Sequence, residues 1–280
     1  MRWEGRRESE NVEDRRGQRR IMGPAGLGCG GILLVLAVAM ITGQDPGRLL
    51  QLLTAQQGVE PPGPATRAPP GEDRLGRFAS VVLADTEASW EAVFARAGRR
   101  YEPPTLVLFT EAIESACGFS AAAVGPFYCP ADRKVYLDLS FFDELDRRFG
   151  APGDFAQAYV IAHEVGHHVQ NLLGIADQVA SAQQRAGDRE ANALSVRMEL
   201  QADCLAGVWA HHAHRDRNLL EPGDVEEGLG AAAAIGDDRL QSLTQGHVQP
   251  ESWTHGSSQE RVRWLRRGIE SGDPNRCKTL

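Results

Sequence analysis

Apolar side chains recur at the spacing of an α-helix along much of the chain after residue 85. A first helix is predicted between Asp85 and Gly98, where the apolar positions follow the i, i+3, i+4, i+7 pattern: Trp90, Val93, Phe94 and Ala97. Similar patterns predict helices over residues 154–172 and 189–212, after Pro222-Gly223, and from a capping box at Ser257. Residues 105–110 and 134–139 have the composition of strands, and the second alternates like a half-buried strand. The pattern predicts an α+β fold, mainly helical with a small β-sheet.

A stretch without charged residues, residues 21–44, separates an arginine-rich start from an acidic remainder. A membrane-spanning helix takes about 20 residues, and we predict one transmembrane anchor over residues 23–43. Arginines before the anchor place the N-terminus in the cytoplasm and the rest of the chain on the exported side of the inner membrane. The alternative is a cleaved signal peptide, although residues 41–43 match a cleavage site poorly. A Pro- and Gly-rich linker over residues 44–72 then leads to a folded domain over residues 73–280.

Charge is distributed unevenly around the predicted anchor. Residues 1–22, predicted to be a cytoplasmic basic segment, hold seven Arg and five acidic residues, whereas the residues after Gly43 hold 23 basic and 33 acidic ones. The formal net charge of the chain is −8. Such an acidic domain lacks the basic surface that binds phosphate backbones, so we expect no nucleic-acid partner. The expected contact of the anchor is the lipid bilayer.

Apart from Cys29 in the predicted anchor, the chain has an even number of cysteines: Cys117, Cys129, Cys204 and Cys277. An even number in an exported domain predicts two disulfides, for which three pairings exist. The short loop between Cys117 and Cys129 contains Gly and Pro and favours that pair, which leaves Cys204 with Cys277. Four buried free thiols are the alternative.

The helix over residues 154–172 carries the sequence His-Glu-Val-Gly-His at positions 163–167. His163 and His167 are four residues apart, so both imidazoles lie on one helix face and can bind one zinc ion. Glu164 lies beside them, where its carboxylate can take a proton from a metal-bound water and pass it to a leaving amine. Gly166 permits a close approach of another backbone at this turn. The alternative, two surface histidines on an amphipathic helix, leaves the buried apolar neighbours of the motif unexplained.

A catalytic zinc needs three protein ligands and one open position. We predict Glu199 as the third ligand, on the helix over residues 189–212. Asp203, one turn further, is expected to orient a ligand histidine by accepting its second ring N–H. Glu190 is the weaker candidate ligand because its surroundings are more polar. Surface ion pairs of Glu199 and Asp203 with neighbouring arginines are the alternative.

The remaining histidines carry weaker signals. His168 lies about 100° around the helix from the motif, as the helical repeat dictates, and is expected to pack or to support the site. His211, His212 and His214 form a cluster at the end of a helix, where cations interact favourably with the helix dipole. His247 and His255 lie in the loop region before the last helix, where catalytic groups often occur.

Several longer motifs resemble the bacterial neutral zinc metallopeptidase family, which is related in its site to the zincins with a glutamate ligand. They cover nearly the whole chain and lie at residues 1–9, 125–130, 135–140, 159–170, 197–204 and 254–257. The resemblance implies a zincin-like domain that binds Zn²⁺ and hydrolyses peptides or proteins. Zincins bind an extended peptide along an edge strand, for which residues 134–139 are the candidate.

The same resemblance suggests a catalytic role for His255. Glutamate-ligand zincins commonly add a His or Tyr donor from a segment after the metal-binding helices, and His255 directly precedes a capped helix. A loop histidine in solvent, or one bonded to the helix end, is the alternative. Two other functions use the same residues: a catalytically silent, metal-stabilised binding or quality-control module of the cell envelope, and a non-peptide amidase.

Overall fold

The computed structural model describes residues 1–17, 73–122 and 125–280. Its helices are α1 (Arg74–Arg96), α2 (Ser140–Arg147), α3 (Asp154–Leu172), α4 (Ile175–Gln183), α5 (Asp188–Arg217), α6 (Asp224–Ala234), α7 (Asp237–Gln245) and α8 (Ser258–Ser271). Its strands are β1 (Val12–Asp14), β2 (Thr105–Phe109), β3 (Ala112–Ser115), β4 (Gly118–Ala121), β5 (Phe127–Cys129) and β6 (Lys134–Asp138). The predicted α+β class, mainly helical with a small sheet, is confirmed.

The larger sheet has the strand order β1-β2-β6-β5. β1, β2 and β6 are parallel to one another in this order, and β5 runs antiparallel to β6. The last four residues of β6 are all buried, so both faces of this strand are covered. The prediction of a half-buried strand is therefore wrong, because β6 is an inner strand that helices cover on one face and the β3–β4 segment on the other.

The first long helix begins earlier than its apolar pattern predicts. The side chain of Asp73 accepts a hydrogen bond from the backbone N–H of Gly76 and caps the helix at residue 73. Asp85, the predicted cap, lies in the helix interior and is only 6% exposed. Its carboxylate binds Arg217 at 2.6 Å and accepts a hydrogen bond from the indole of Trp209 at 2.9 Å. Asp85 therefore belongs to a buried ion pair and does not cap a helix.

Residues 1–15 belong to the same compact unit as residues 69–280. Trp3 is 6% exposed, and its ring packs edge-on against Phe78 of α1 at 5.3 Å. β1 then adds a parallel strand to β2. The sequence instead predicts a separate segment over residues 1–22. A single membrane crossing by residues 23–43 would put β1 and β2 on opposite sides of the membrane, whereas their pairing requires the same side.

The predicted anchor, residues 23–43, and the predicted linker, residues 44–72, lie outside the described residues, as does Cys29. Among the described residues, no helix has both the length and the apolar character needed to cross a membrane.

Glycines permit the close packing of the three helices that carry the candidate site. A Cβ atom on Gly166 of α3 would lie 2.9 Å from the carbonyl oxygen of Ala202 on α5, so the close approach predicted at this glycine is present. A Cβ atom on Gly207 of α5 would lie 2.2 Å from the carbonyl oxygen of Leu265 on α8. No side chain fits at these crossings without a shift of the helices, and the short separations hold both α3 and α8 against α5.

Both predicted disulfides are present, Cys117–Cys129 and Cys204–Cys277. The first joins the turn of the β3–β4 hairpin to the end of β5. The second joins the middle of α5 to the C-terminal segment, which forms a short 3-10 helix over Pro274–Cys277. The two pairs therefore tie two peripheral segments to the sheet and to a core helix.

Candidate metal centre

His163 and His167 of α3 face Glu199 of α5. The Nε2 atom of His163 lies 3.0 Å from one carboxylate oxygen of Glu199, and the Nε2 atom of His167 lies 3.4 Å from the other. The three potential ligand atoms lie within 4.8 Å of one another. The i, i+4 spacing on α3 aligns the two imidazoles, and α5 brings in the carboxylate across the Gly166 crossing.

Each histidine has an acceptor at its other ring nitrogen. The Nδ1–H group of His163 donates to Asp203 at 2.8 Å, and that of His167 donates to the side-chain oxygen of Gln170 at 2.9 Å. These hydrogen bonds leave both Nε2 atoms free to bind a metal. Two imidazoles, one carboxylate and one side open to a cavity are the donor set of catalytic zinc sites, so a zinc ion fits these residues.

The carboxylates and imidazoles of this cluster shift one another's pKa values. Burial alone would lower the pKa of His163, but Asp203 and Glu199 raise it to about 10. Burial likewise opposes ionisation of Glu199, yet His167 and His163 hold its pKa well below the ordinary range. The carboxylates therefore favour a cation at this position, and a metal ion would replace the protons that they otherwise hold on the imidazoles.

Arg261 of α8 is part of the centre, although its sequence context gave no sign of this. Its guanidinium donates to both carboxylate oxygens of Asp203, at 2.8 and 2.9 Å, and to the hydroxyl of Tyr159 at 3.1 Å. Arg261 is 2% exposed and Asp203 is fully buried. Burial would raise the pKa of Asp203, but Arg261 and His163 lower it to about 2. Asp203 therefore stays ionised and holds the His163 ring in one orientation.

Glu164 faces a cavity of about 620 Å³ that the ligand residues also line. Its side chain is nearly buried, at 8% exposure. Within the part of the chain that the structure describes, it makes no hydrogen bond and no ion pair. Glu164 is thus available to bind a water molecule or a substrate group beside the candidate metal position.

His255 lines the same cavity and is bound to Asp237. One oxygen of Asp237 accepts the backbone N–H groups of residues 254, 255 and 256, and its other oxygen lies 3.3 Å from Nδ1 of His255. The side chain of His255 remains 51% exposed. The hydrogen bond to Asp237 raises the pKa of His255, burial opposes the shift, and the charge of Glu199 adds to it. The loop therefore presents His255 to the cavity with its cationic form favoured by Asp237.

The other histidines have local partners. His168 is fully buried between the hydroxyl of Tyr128 and the carbonyl oxygen of Glu102, and burial lowers its pKa to about 4. His211 and His212 donate to carbonyl oxygens at the end of α8. His214 and His247 do not line the cavity. Glu190, the alternative ligand, is exposed at the start of α5, outside the cluster of ligand atoms.

The strand predicted to bind an extended peptide is not at an edge. β6 pairs with β2 on one side and with β5 on the other, so its backbone groups are occupied. β5 is the outer strand of the described sheet on this side, and its residues Phe127 and Tyr128 line the metal cavity. The edge available beside the site is therefore that of β5.

A second group of carboxylates also lies close together: Asp154, Asp224 and Glu227. The α-amino group of Met1 lies 2.7 Å from Asp154 and 3.3 Å from Asp224. Glu227 accepts the backbone N–H of Phe155 at the start of α3. These acids already have a cation and a helix terminus as partners, and their arrangement offers no imidazole ligand.

Comparisons with known proteins agree with this geometry. The family model described as "Putative neutral zinc metallopeptidase" matches residues 1–280. The uncharacterized protein YpfJ of Escherichia coli is 50% identical over 286 residues, which cover 100% of this chain and 99% of the relative. An uncharacterized protein of Mycobacterium tuberculosis is 43% identical over 254 residues, which cover 86% of this chain and 85% of the relative. No solved structure matches the chain.

Proposed function

The chain belongs to the family described as "Putative neutral zinc metallopeptidase", and from this membership we propose that it is a zinc-dependent peptidase that hydrolyses peptide bonds. One observation carries the proposal: Glu164 faces the same cavity as His163, His167 and Glu199 and has no partner among the described residues. A purely structural zinc site is closed by four protein ligands and needs no base. This arrangement has three ligands, an open side and an uncommitted carboxylate.

Each residue of the metal centre has its own role in the proposed reaction. His163, His167 and Glu199 hold the metal, and Asp203 with Arg261 fixes the His163 ring. Zinc, when bound, supplies a Lewis acid that polarises the substrate carbonyl and makes water more acidic. Glu164 accepts the proton of the attacking water and delivers it to the leaving nitrogen. His255, held by Asp237, donates to the carbonyl oxygen as negative charge builds on it.

The outer edge of β5, which pairs with no further strand in the described part of the chain, suggests how a peptide binds. An extended peptide can add to an exposed strand edge through backbone hydrogen bonds, and side-chain pockets then give specificity. Phe127 and Tyr128 lie on that strand and line the cavity. A strand edge beside the metal centre favours peptide or protein substrates over small amides, so we prefer a peptidase to a non-peptide amidase.

The two disulfides support a position on the exported side of the membrane, since such bonds persist in oxidising compartments. We propose that the unit with the metal centre lies on that side and that residues 23–43 contact the lipid bilayer. Because β1 pairs with β2, residues 1–15 share the side of the metal centre in this proposal.

The test separates the base from the ligands. Glu164→Gln should keep about one zinc per chain, as the assigned three-ligand site requires, and should abolish cleavage of casein, because the amide cannot accept a proton. Glu199→Ala should lose zinc and activity together. Glu190→Gln, at an exposed position on the same helix as Glu199, is the matched control and should resemble the native protein. Activity in Glu164→Gln, or zinc loss in it, would contradict the proposed role. A native protein that binds zinc but cleaves neither casein nor exported peptides would favour the silent module.

A further inference from the structure

A second cavity, of about 750 Å³, lies apart from the metal centre. The ends of α1 and α3, one face of α5 and residues 272–278 of the C-terminal segment line it, so we call it the tail cavity. None of its lining residues also lines the metal cavity. Pockets for small molecules commonly measure about 300–1,000 Å³, so the tail cavity has the size of a ligand site.

The inner wall of the tail cavity is apolar. Val93, Leu173 and Ile175 line it and are only partly buried, so their side chains expose apolar surface to the cavity. Together they form a surface suited to a hydrocarbon chain.

The rim of the tail cavity is cationic. Arg96, Arg99, Arg215 and Lys278 lie there against a single acid, Asp273. Arg215 is neutralised by Asp216, at 2.7 Å. Arg96 and Arg99 instead contact neutral groups, the ring of His212 and the carbonyl oxygen of Leu172. Burial lowers the pKa of His212, which favours the neutral form of this ring. Among the described residues, neither of these two guanidinium groups has a carboxylate partner, in a chain whose net charge is −8.

We propose that the tail cavity binds a fatty-acid-type carboxylate, with its chain against the apolar wall and its oxygens at Arg96 and Arg99. Guanidinium groups pair well with carboxylates because of their planar donor geometry. A peptide C-terminus carries the same anion but brings backbone donors and acceptors that an apolar wall cannot satisfy. The occupant is therefore a carboxylate with a plain hydrocarbon chain.

The tail cavity is also connected to the metal centre by hydrogen bonds. Gln201 lines the cavity and accepts a hydrogen bond from Gln170 at 3.1 Å. The side-chain oxygen of Gln170 in turn accepts the Nδ1–H of His167, a candidate metal ligand. A ligand that shifts Gln201 would disturb the hydrogen bond that orients His167. The effect of the ligand on zinc affinity must then equal the effect of zinc on ligand affinity.

The test uses the full chain with zinc and isothermal titration with decanoate below its micelle concentration. Saturable binding at one site per chain is expected, and the uncharged decanol should bind at least tenfold more weakly. Arg96→Gln combined with Arg99→Gln should weaken decanoate at least tenfold, whereas Arg185→Gln, an exposed cation elsewhere, should not. The arginine positions are exposed, so these variants should fold, and circular dichroism checks this.

Failure of decanoate to saturate, or equal affinity for decanol, would overturn the site. Equal decanoate affinity in the double arginine variant would overturn the assigned anion contacts. A peptide ending in Leu that binds more tightly than decanoate would overturn the choice of occupant. Decanoate affinity should also differ between zinc-loaded and metal-free protein, and equal values would overturn the connection through Gln170 and Gln201. The binding test does not use peptidase activity, so it stands or falls separately from the proposed function.

Discussion

Arg261 binds both carboxylate oxygens of Asp203, at 2.8 and 2.9 Å, and neither side chain is accessible to solvent beyond 2%. This pair connects α8 to the support of a candidate zinc ligand, because the same carboxylate accepts the Nδ1–H of His163. The position of the last helix and the geometry of the metal centre therefore depend on one another.

Arg261→Gln should weaken zinc binding about 10–100-fold, the usual effect of losing a group that supports a ligand. It should also destabilise the protein by about 3–5 kcal/mol, because it leaves the charge of Asp203 buried without its partner. Competition with a chelator measures the first effect and denaturant unfolding the second. Arg263→Gln, at an exposed position on the same helix, is the control. Native zinc affinity in Arg261→Gln would mean that Asp203 holds His163 without help.

The pH dependence of activity should reveal the pair of Asp237 and His255. The hydrogen bond to Asp237 raises the pKa of His255 above its ordinary value. As a cationic donor, His255 contributes below this pKa, and its contribution is lost as the pH rises through it. Asp237→Asn keeps an oxygen for the three backbone N–H groups but removes the charge, so the alkaline limb of kcat/KM should move to lower pH. A pH profile of peptide cleavage checks this.

His255→Ala is the companion variant. It should keep zinc and fold and lower kcat about 100-fold with little change in KM, the size expected for losing one donor to the developing oxyanion. In that background, Asp237→Asn should no longer move the alkaline limb. Removal of an oxyanion donor has a large effect, so activity of His255→Ala within about threefold of native would contradict the donor role. Loss of zinc would instead make His255 a ligand.

Two glycine substitutions should have opposite effects on the stability of the protein, one at the crossing of α5 and α8 and one on α6. Gly207→Ala places a Cβ atom 2.2 Å from the carbonyl oxygen of Leu265, which forces the helices apart. We expect a loss of about 1–3 kcal/mol, together with weaker zinc binding because Arg261 moves with α8. Gly230→Ala, on α6, meets no atom within 4 Å and should stabilise the protein by about 0.5–1 kcal/mol. Denaturant unfolding of both variants measures the contrast, and a neutral Gly207→Ala would contradict the close crossing.

Labelling of intact cells with a membrane-impermeant maleimide tests the location of residues 1–15. Glu10→Cys and Glu190→Cys both place a thiol at an exposed position of the described unit. Both should react from outside the inner membrane if β1 and the metal centre share the exported side. Labelling at position 190 alone would mean that β1 does not pair with β2 in the cell. Labelling at neither position, with labelling of both after lysis, would place the whole unit in the cytoplasm.

The histidine motif, the long helices around it and the disulfide pairing could be predicted because each depends on residues close in sequence or on a small set of alternatives. His163 and His167 share a helix face by spacing alone. Arg261, Asp237 and Gln170 could not be assigned, since their roles come from contacts that only the packed helices create. Arg261 lies 58 residues from its partner Asp203, and the other arginines of its helix, Arg263, Arg266 and Arg267, are exposed.

The sheet was predicted less well for a related reason. β1 contains two acidic residues in three, and its strand conformation comes from pairing with β2 rather than from its own composition. β2 and β6 were both predicted as strands, but β5 on the other side of β6 was not, so the position of β6 inside the sheet was missed. The short helices α4 and α7 lack a long apolar pattern, so no helix is predicted over their residues.

The pairing of β1 with β2 makes the folded unit discontinuous in sequence, with residues 16–68 inserted between its two parts. A shortened chain that starts at Asp73, the obvious way to free the domain from a predicted anchor, would lack β1 and Trp3. It would bare the edge of β2, and unpaired strand edges promote aggregation. Joining Arg15 to Asp73 through a flexible Gly-Ser linker would retain both parts, and this shortened form is the better starting point for crystallisation.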